Sequence, residues 1–282
     1  GTINQTSGIF TPRSGTVILT SSADATATIT STLNTLRIED SSESGLVGYW
    51  KFDEGTNSGA ILDSSGYGNT GTRRGGAGTI WSGSSLQSLQ FENRYAMQFD
   101  GTDDYVSLSS QIDLSVLSAW SASAWVHTTS SATYRAIVGG YTLYVDSSQK
   151  IASYDGVSYK VSNNVVPTNS WTHVSITCTG GVSGTISFFL NGVADGSAGY
   201  NCTYSDANRA QSIGTYSTGP THMLIGLLDD VRIYNRALSV NEIANLARGR
   251  YASGNSSTST FTLGANLSTA TLAHDSGKIS TS

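Results

Sequence analysis

The sequence predicts an all-β protein, a two-sheet antiparallel sandwich of the jelly-roll type with one short helix. Three observations support this prediction. Short runs of β-branched and aromatic residues recur along the middle of the chain, Asn-Gly and Asp-Gly pairs lie between several of them, and one stretch near residue 240 has helical periodicity. Many short strands joined by tight turns are typical of sandwiches and jelly rolls.

Composition restricts the partners of this protein. Of its 282 residues only 12% are charged, the formal net charge is −5, and Lys and Arg together number 15. So few scattered cations cannot build the basic face that nucleic acid requires, and we expect no nucleic-acid partner. No run of about 18 apolar residues occurs, so we expect no membrane span. The abundance of Gly, Ser and Thr in place of charges points to an extracellular or cell-surface protein.

The amino-acid composition changes twice along the chain, and these changes predict three parts. Residues 1–44 are Ser/Thr-rich with short β-branched runs, residues 45–250 hold all five Trp, and residues 251–282 return to the Ser/Thr texture. We therefore expect a β-rich N-terminal arm, a central domain and a β-rich C-terminal arm. The alternative is that the two ends are unrelated linkers.

The central part contains the predicted strands, in which apolar residues alternate. Trp50 and Phe52, for example, are expected to face the core, with Tyr49 and Lys51 pointing the other way. Turns are predicted at Asp100-Gly101, Asp155-Gly156, Asn191-Gly192 and Asp195-Gly196. The predicted strands are Leu46–Phe52, Tyr95–Phe99, Tyr105–Leu108, Ser123–His127, Ala136–Val138, Thr142–Val145, Trp171–Thr177, Thr185–Leu190 and Asp230–Tyr234.

The chain around the last strand carries two further predictions. Strict alternation there would place Asp229 on the face of Val231 and Ile233, opposite the face of Asp230, Arg232 and Tyr234. A helix is predicted directly afterwards, because Ser239 and Glu242 form a capping box and Gly249 can end it. Its apolar stripe consists of Ile243, Leu246 and Ala247.

Five stretches of the central part follow a recognisable order. They are Gly45–Glu54 (GLVGYWKFDE), Asp63–Gly71 (DSSGYGNTG), Met97–Val106 (MQFDGTDDYV), Trp171–Val174 with Phe188–Gly192, and Leu228–Ser239 (LDDVRIYNRALS). In type and order they resemble the laminin G-like, concanavalin A-like jelly-roll superfamily, in the variety common in bacterial surface proteins. The resemblance implies a jelly roll over about 200 residues and leaves both arms uncovered.

The resemblance also implies a structural calcium ion, which many members of the family hold. The oxygen ligands that suit Ca²⁺ would come from Asp53, Asp63, Asn69 and Asp229, which lie in the family's loop and terminal-strand motifs. In the alternative interpretation, Asp63 and Asn69 bind the amides of their own turn and Asp229 is a buried cap. A second acidic group, Asp100, Asp103 and Asp104, is predicted to be a solvated turn.

Catalytic patterns are missing from the sequence, and we expect no enzymatic activity. Hydrolytic relatives use closely spaced acids of the Glu-x-Asp-x-Glu kind, whereas Glu stands here only at positions 39, 43, 54, 92 and 242. A glycoside hydrolase needs a second carboxyl near the first. The four His, at 127, 173, 222 and 274, show no metal spacing, and His173 is predicted to be structural.

Cysteine and tyrosine supply the remaining candidates. Cys178 and Cys202 are predicted to form a disulfide, the alternative being two buried thiols. Sugar binding needs an aromatic platform with polar neighbours, and seven tyrosines in or near loops could provide it, although tyrosine is also common in strands. They are Tyr134, Tyr141, Tyr154, Tyr159, Tyr200, Tyr204 and Tyr216.

Two functions remain open at this level. The first is a non-catalytic subunit of a cell-surface fibre or array that displays a lectin-like jelly roll and self-associates through its terminal arms. Few Lys are present to block edge-to-edge strand pairing, which favours this hypothesis. The second is a carbohydrate- or protein-binding lectin-like module of a larger surface adhesin or enzyme.

Overall fold

A computed structural model describes residues 16–21, 33–40, 44–55, 59–76, 81–82, 95–129, 134–206, 210–217, 222–248 and 269–274. The chain divides into two units. Residues 45–249 form a central unit, and residues 1–44 with 250–282 form a second.

Nineteen strands and one α-helix make up the regular structure of the described residues. The strands are β1 (Thr16–Ser21), β2 (Leu33–Asp40), β3 (Leu46–Trp50), β4 (Ala60–Ile61), β5 (Gly71–Arg74), β6 (Trp81–Ser82), β7 (Ala96–Asp100), β8 (Tyr105–Leu108), β9 (Ala119–Thr128), β10 (Arg135–Val138), β11 (Leu143–Val145), β12 (Lys150–Tyr154), β13 (Tyr159–Val165), β14 (Thr172–Thr179), β15 (Gly184–Leu190), β16 (Val193–Tyr200), β17 (Ser212–Ile213), β18 (Ile225–Tyr234) and β19 (Thr269–His274). The helix is α1 (Val240–Arg248), and a 3₁₀ turn spans Gly181–Ser183.

The central unit consists of two antiparallel sheets packed face to face. Sheet I has the order β13-β12-β11-β10-β17-β8-β5-β4, and sheet II has the order β16-β15-β14-β9-β18-β7-β6, with β3 also paired to β18. Alternate residues of both sheets fill the core between them, as the period of two requires. This arrangement confirms the predicted jelly-roll sandwich. Core side chains with almost no exposure include Trp50, Phe99, Trp120, Phe188 and Ile213.

All nine predicted strands are present; Tyr105–Leu108 has the predicted bounds, and the other eight differ at one or both ends. The first ends at Trp50 because Phe52, although fully buried, adopts a left-handed backbone with φ 52°. The turn predicted at Asp195-Gly196 is wrong, since both residues lie inside β16. There the register shifts between Ser187 and Phe189 of the partner strand, so the pair forms a bulge rather than a hairpin turn.

A second bulge corrects the prediction for Asp229. Asp229 pairs with Trp125 whereas Arg232 pairs with Ser123, so β18 has one extra residue at this point, and Asp230 has a φ of 50°. Trp125 alternates with core residues of β9 and therefore faces away from the core, and residues paired across strands share a face. Asp229 thus lies on the outer face of sheet II, on the same side as Asp230 and Arg232.

Helix α1 follows β18, as predicted, and begins with the predicted capping box. The Ser239 N–H donates to Glu242 Oε2 (2.8 Å), and the Glu242 N–H donates to Ser239 Oγ (3.3 Å). Gly249, the predicted end, lies outside the described residues. The described part of the chain contains no helix long and apolar enough to cross a membrane. The helix packs into a small second core made of Leu46, Tyr49, Phe189, Tyr234, Leu238, Ile243 and Leu246.

The second unit contains a parallel three-stranded sheet of order β1-β2-β19. Strand β2 pairs with β1 from Thr16↔Thr35 to Ser21↔Asp40, and on its other side with β19 from Thr269↔Leu33 to His274↔Ile38. The sheet therefore combines strands from both predicted arms. Apart from Ser44, the rest of each arm lies outside the described residues.

Candidate functional site

Eight aromatic rings gather on the outer face of sheet I, and we call them the tyrosine cluster. Tyr144 alternates with the core residues Leu143 and Val145, which directs it outward, and Tyr154 pairs with Tyr159 in the neighbouring hairpin. Ring centroids of contacting members are 4.3 to 6.1 Å apart. The cluster comprises Tyr134, Tyr141, Tyr144, Tyr154, Tyr159, Tyr204, Tyr216 and His222.

Tyr141 is the centre of this cluster, and a tight turn places it there. It lies between β10 and β11 after Gly140, and both residues have a positive φ, 63° for Gly140 and 56° for Tyr141. The turn brings the Tyr141 ring 4.3 Å from that of Tyr216 and 5.7 Å from that of Tyr159. It also contacts the rings of Tyr144, Tyr154 and His222.

A disulfide holds the segment that carries another edge of the cluster. Cys178 in β14 is bonded to Cys202, with 5.7 Å between their Cα atoms, and the Trp120 indole N–H donates to the Cys202 carbonyl (2.9 Å). Two residues later Tyr204 packs against Tyr154. Asp206 then accepts hydrogen bonds from the hydroxyls of Tyr216 (3.0 Å) and Tyr204 (3.4 Å).

Exposure and protonation suit this surface to hydrogen bonding and stacking. Tyr159 is 47% exposed, and most of the other tyrosines are half-buried. Burial, together with a hydrogen bond to Tyr159, raises the pKa of Tyr141, so its hydroxyl stays protonated at neutral pH. Partial desolvation lowers the pKa of His222, although the residue as a whole is exposed, and keeps its ring neutral.

Six of the seven candidate tyrosines therefore come together, and one does not. Tyr200 is buried beside Trp120, its hydroxyl donating to the Tyr154 carbonyl (2.8 Å) and lying 2.6 Å from Ser153 Oγ. Sequence reasoning missed Tyr144 and His222. The Tyr-x-x-Tyr spacing after the β10 turn could have indicated Tyr144, but no sequence signal marks His222.

The loop predicted to hold calcium is organised by Asp63. Its Oδ1 accepts the N–H groups of Tyr49 and Ser65 (both 2.9 Å), and its Oδ2 accepts the Ser65 hydroxyl and the Asn69 N–H (both 2.8 Å). Asn69 in turn donates to the Val47 carbonyl (2.7 Å) and accepts from a serine hydroxyl. With four hydrogen bonds Asp63 has its acceptor sites filled, as the turn-amide interpretation expects, and these two residues do not fit a cation.

The other two predicted ligands lie outside this loop. Asp229 is buried on the outer face of sheet II, and Asp53 is half-buried after β3. Among the described residues, the one close group of three acidic side chains is Asp100, Asp103 and Asp104. Asp100 Oδ1 accepts the N–H groups of Thr102 (2.7 Å) and Asp103 (3.3 Å), which is the geometry of a turn. The calcium set stays a prediction that these contacts do not favour.

Buried polar side chains form a hydrogen-bonded network on the outer face of sheet II, and the role of this network is structural. The Arg232 guanidinium donates to the Tyr49 hydroxyl (2.6 Å), which donates to Asp230 Oδ1 (2.7 Å). His173 is buried nearby, 5.4 Å from the ring of Trp125, and its two nitrogens have no hydrogen-bond partner among the described residues. Burial, and then the positive charge of Arg232, lowers the pKa of His173 to about 3. The histidine is therefore neutral and packs against Trp125 among the buried side chains on the outer face of sheet II.

Solved structures with the same fold include ligand-binding domains. Domain 4 of AbnA, an extracellular arabinanase from Geobacillus stearothermophilus, in complex with arabinotriose, is 21% identical, with a TM-score of 0.53 over 72% of this chain and 98% of that one. The binding domain of botulinum neurotoxin DC in complex with SialylT is 15% identical, with a TM-score of 0.52 over 73% of this chain and 52% of that one. The binding domain of Paraclostridial Mosquitocidal Protein 1 is 14% identical, with a TM-score of 0.52 over the same shares.

Sequence comparison gives the family directly. No curated protein sequence matches the chain significantly. The Laminin_G_3 family model, described as the concanavalin A-like lectin/glucanases superfamily, matches residues 100–244, which are 145 of the 282 residues. The match covers the strands that build most of both sheets and the start of the helix. This chain, whose central unit is a lectin-like jelly roll, therefore belongs to the concanavalin A-like lectin/glucanase superfamily.

Proposed function

We propose that this protein is a non-catalytic, extracellular glycan-binding protein and that the tyrosine cluster is its binding surface. The observation that carries the proposal is the gathering of eight rings from distant segments on one sheet face, all of them exposed or half-buried except Tyr144, which is buried. Aromatic faces cover the apolar C–H side of a sugar ring, and a few polar groups then fix its orientation. The complexes of two structural neighbours, with arabinotriose and with SialylT, support a ligand of this class.

The chemistry at the cluster supports binding rather than catalysis. Among the described residues, Asp206 is a carboxylate hydrogen-bonded to the cluster, and its Oδ2 accepts two tyrosine hydroxyls. A glycoside hydrolase needs a pair of carboxyl groups about 5 to 9 Å apart across the scissile bond. The disulfide between Cys178 and Cys202 fits an oxidising, extracellular environment.

A glycan panel tests this proposal. Tyr159→Ala removes the most exposed tyrosine of the cluster, and Tyr67→Ala, which removes a 64% exposed tyrosine from the loop after β4, is the matched control. Loss of one stacked ring is expected to weaken binding about tenfold, since about 1.4 kcal/mol corresponds to that factor. Equal binding by both variants, or no glycan bound by the unaltered protein, would refute the proposal.

A fibre or array subunit is the second candidate function, and one feature of the second unit favours it. Strand β2 is flanked by β1 and β19 in a parallel sheet, so the arms are able to pair as strands. Parallel edges could add the strand of another copy in the same direction, head to tail. Deleting residues 1–44 should abolish assembly and leave the jelly roll folded. Particles of unchanged size on gel filtration before and after the deletion would rule out this function.

A further inference from the structure

Strand β13, at the edge of sheet I, carries three exposed aromatic or aliphatic side chains, which we call the β13 strip. They are Tyr159, Val161 and Val165, which are 47%, 39% and 53% exposed. Val161 pairs with Ala152, and Ala152 pairs with Tyr144 of the tyrosine cluster. Residues paired across strands share a face, and Tyr144 points outward, so Val161 lies on the outer face of sheet I. The strip therefore continues the cluster, of which Tyr159 is a member.

The strip extends this surface along the strands. Tyr159 pairs with Tyr154 and Val165 pairs with Lys150, and both partners alternate with inward-facing residues of β12 on its outer face. The step of four residues from Tyr154 to Lys150 corresponds to about 13 Å, a length that a single sugar ring cannot span. Lys150 is half-buried, and its ammonium group can donate hydrogen bonds to sugar hydroxyls. The surface thus has rings at one end and a valine with a cation at the other.

The polarity of β13 is the reverse of that expected for a strand with one solvated face. Such a strand normally turns its polar residues to water, and charges on an edge strand discourage unwanted pairing. In β13 the polar residues that alternate with the strip point the other way, and they are Lys160, Ser162 and Asn164. Contiguous apolar side chains that remain exposed commonly mark an interaction site.

Hydrogen bonds hold β13 in this orientation. The Asn164 side-chain amide donates to Asp195 Oδ1 (2.6 Å), and Asp195 is buried in β16. Ser162 Oγ accepts the Ile151 N–H (3.1 Å) and donates to the Asn164 carbonyl (2.9 Å). A slip of one residue would turn the valines inward and break these bonds. The register is therefore fixed with the apolar side chains facing outward.

From this continuous surface we infer that the tyrosine cluster and the β13 strip together bind an extended oligosaccharide of three or more units rather than a single terminal sugar. The inference rests on the proposed function and specifies the form of its ligand. Stacking on the tyrosine rings holds one end of the chain, and the C–H faces of the following units cover Val161 and Val165. Lys150 then donates to a hydroxyl group at the far end and fixes the position of the chain.

Oligosaccharides of increasing length test the inference. The probes are the arabino-, xylo- and cello-oligosaccharides of two to six units, titrated into the unaltered protein in a calorimeter. For a series that binds, we expect the affinity to rise about tenfold from the disaccharide to the tetrasaccharide, because each added unit covers more of the strip. Longer members should bind no more tightly, since they extend past the strip. Equal affinity for the disaccharide and the tetrasaccharide would overturn the inference.

A pair of variants locates the extended part of the surface. Val165→Ser should weaken binding of the tetrasaccharide about threefold and leave the disaccharide unchanged, because the rings alone hold a disaccharide. Val240→Ser is the matched control and should change neither affinity. Val240 is 57% exposed and begins helix α1, which packs on the outer face of sheet II. Circular dichroism melting checks that both variants are folded, and Lys150→Gln replaces Val165→Ser if the latter does not fold.

The outcomes separate the inference from the proposed function. Binding that Tyr159→Ala weakens, but that is independent of chain length or limited to panel glycans outside the three series, would overturn the inference and keep the cluster as the binding surface. Equal tetrasaccharide binding by Val165→Ser and the unaltered protein would overturn the inference in the same way. If Val165→Ser also changed the particle size on gel filtration, the strip would be a contact between copies of the chain. Glycan binding that is insensitive to Tyr159→Ala would overturn the proposed function itself.

Discussion

Removing the disulfide should cost the central unit both stability and glycan affinity. Cys178 and Cys202 are 24 residues apart in sequence and fully buried in the main core. In the chain-entropy model, a closed loop of about 25 residues stabilises the folded state by about 3.5 kcal/mol. The double change Cys178→Ala with Cys202→Ala should therefore lower the free energy of unfolding by about this amount, and lost packing of two sulfurs adds to it.

Urea denaturation at pH 7 measures this loss. With a slope of about 2 kcal/mol per molar urea, a loss of about 3.5 kcal/mol should lower the midpoint by roughly 1.8 M. Val182→Ala, which shortens a 69% exposed side chain within the same loop, should change the free energy by less than about 0.5 kcal/mol. A midpoint within about 0.3 M of the unaltered protein would refute the reasoning.

The same variant should bind glycans more weakly even where it is fully folded. Tyr204 and Asp206 follow Cys202 by two and four residues, and the disulfide fixes the start of their segment. Freeing it adds conformational entropy that binding must remove. Unchanged affinity in the folded variant would show that the segment is held by its other contacts.

Three further predictions concern single residues. Although burial raises the pKa of Glu242, hydrogen bonds from Arg236 and Ser239 lower it below its usual value. The stabilisation by this carboxylate is therefore present above about pH 4.5 and is lost as the pH falls. Glu242→Gln should lower the free energy of unfolding, measured by urea denaturation, by about 1 kcal/mol at pH 7 and by much less at pH 3. Burial lowers the pKa of His173 to about 3, so the melting temperature should fall as the pH drops from 6.5 towards 3, and His173→Gln should lack this part of the fall. Because the acceptor sites of Asp63 are filled, chelation with EDTA should leave the melting temperature unchanged; a drop on chelation, reversed by Ca²⁺, would support the calcium prediction.

The strands that the sequence predicted well have many buried residues, either on one face or on both. Trp171–Thr177 and Thr185–Leu190 lie next to each other in sheet II and appear with only small changes at their ends. Strand β13, by contrast, is mostly polar and largely exposed at the edge of sheet I, so hydrophobic alternation could not reveal it. Local turn chemistry also misled at Asp195-Gly196, because a bulge uses the same residues as a turn.

The sequence predicted what kind of site to expect, but it did not predict where in the fold the site would lie. The abundance of loop tyrosines indicated an aromatic platform, yet its members come from the β10–β11 turn, the β12–β13 hairpin, the segment after Cys202 and the residues around Tyr216. Only the order of strands in sheet I brings these segments together. Tyr200 is the opposite case, because its position in a strand directs this candidate tyrosine into the core.

A titration followed by tyrosine-selective NMR would test the central claim most directly. The protein, labelled at its tyrosine rings, would be titrated with the glycan that binds best on the panel. We predict shifts confined to the seven tyrosines of the cluster, largest at Tyr159 and Tyr141, with Tyr67 and Tyr105 unmoved. Shifts at Tyr67 or Tyr105 with the cluster unmoved would contradict the central claim and place glycan binding outside the tyrosine cluster.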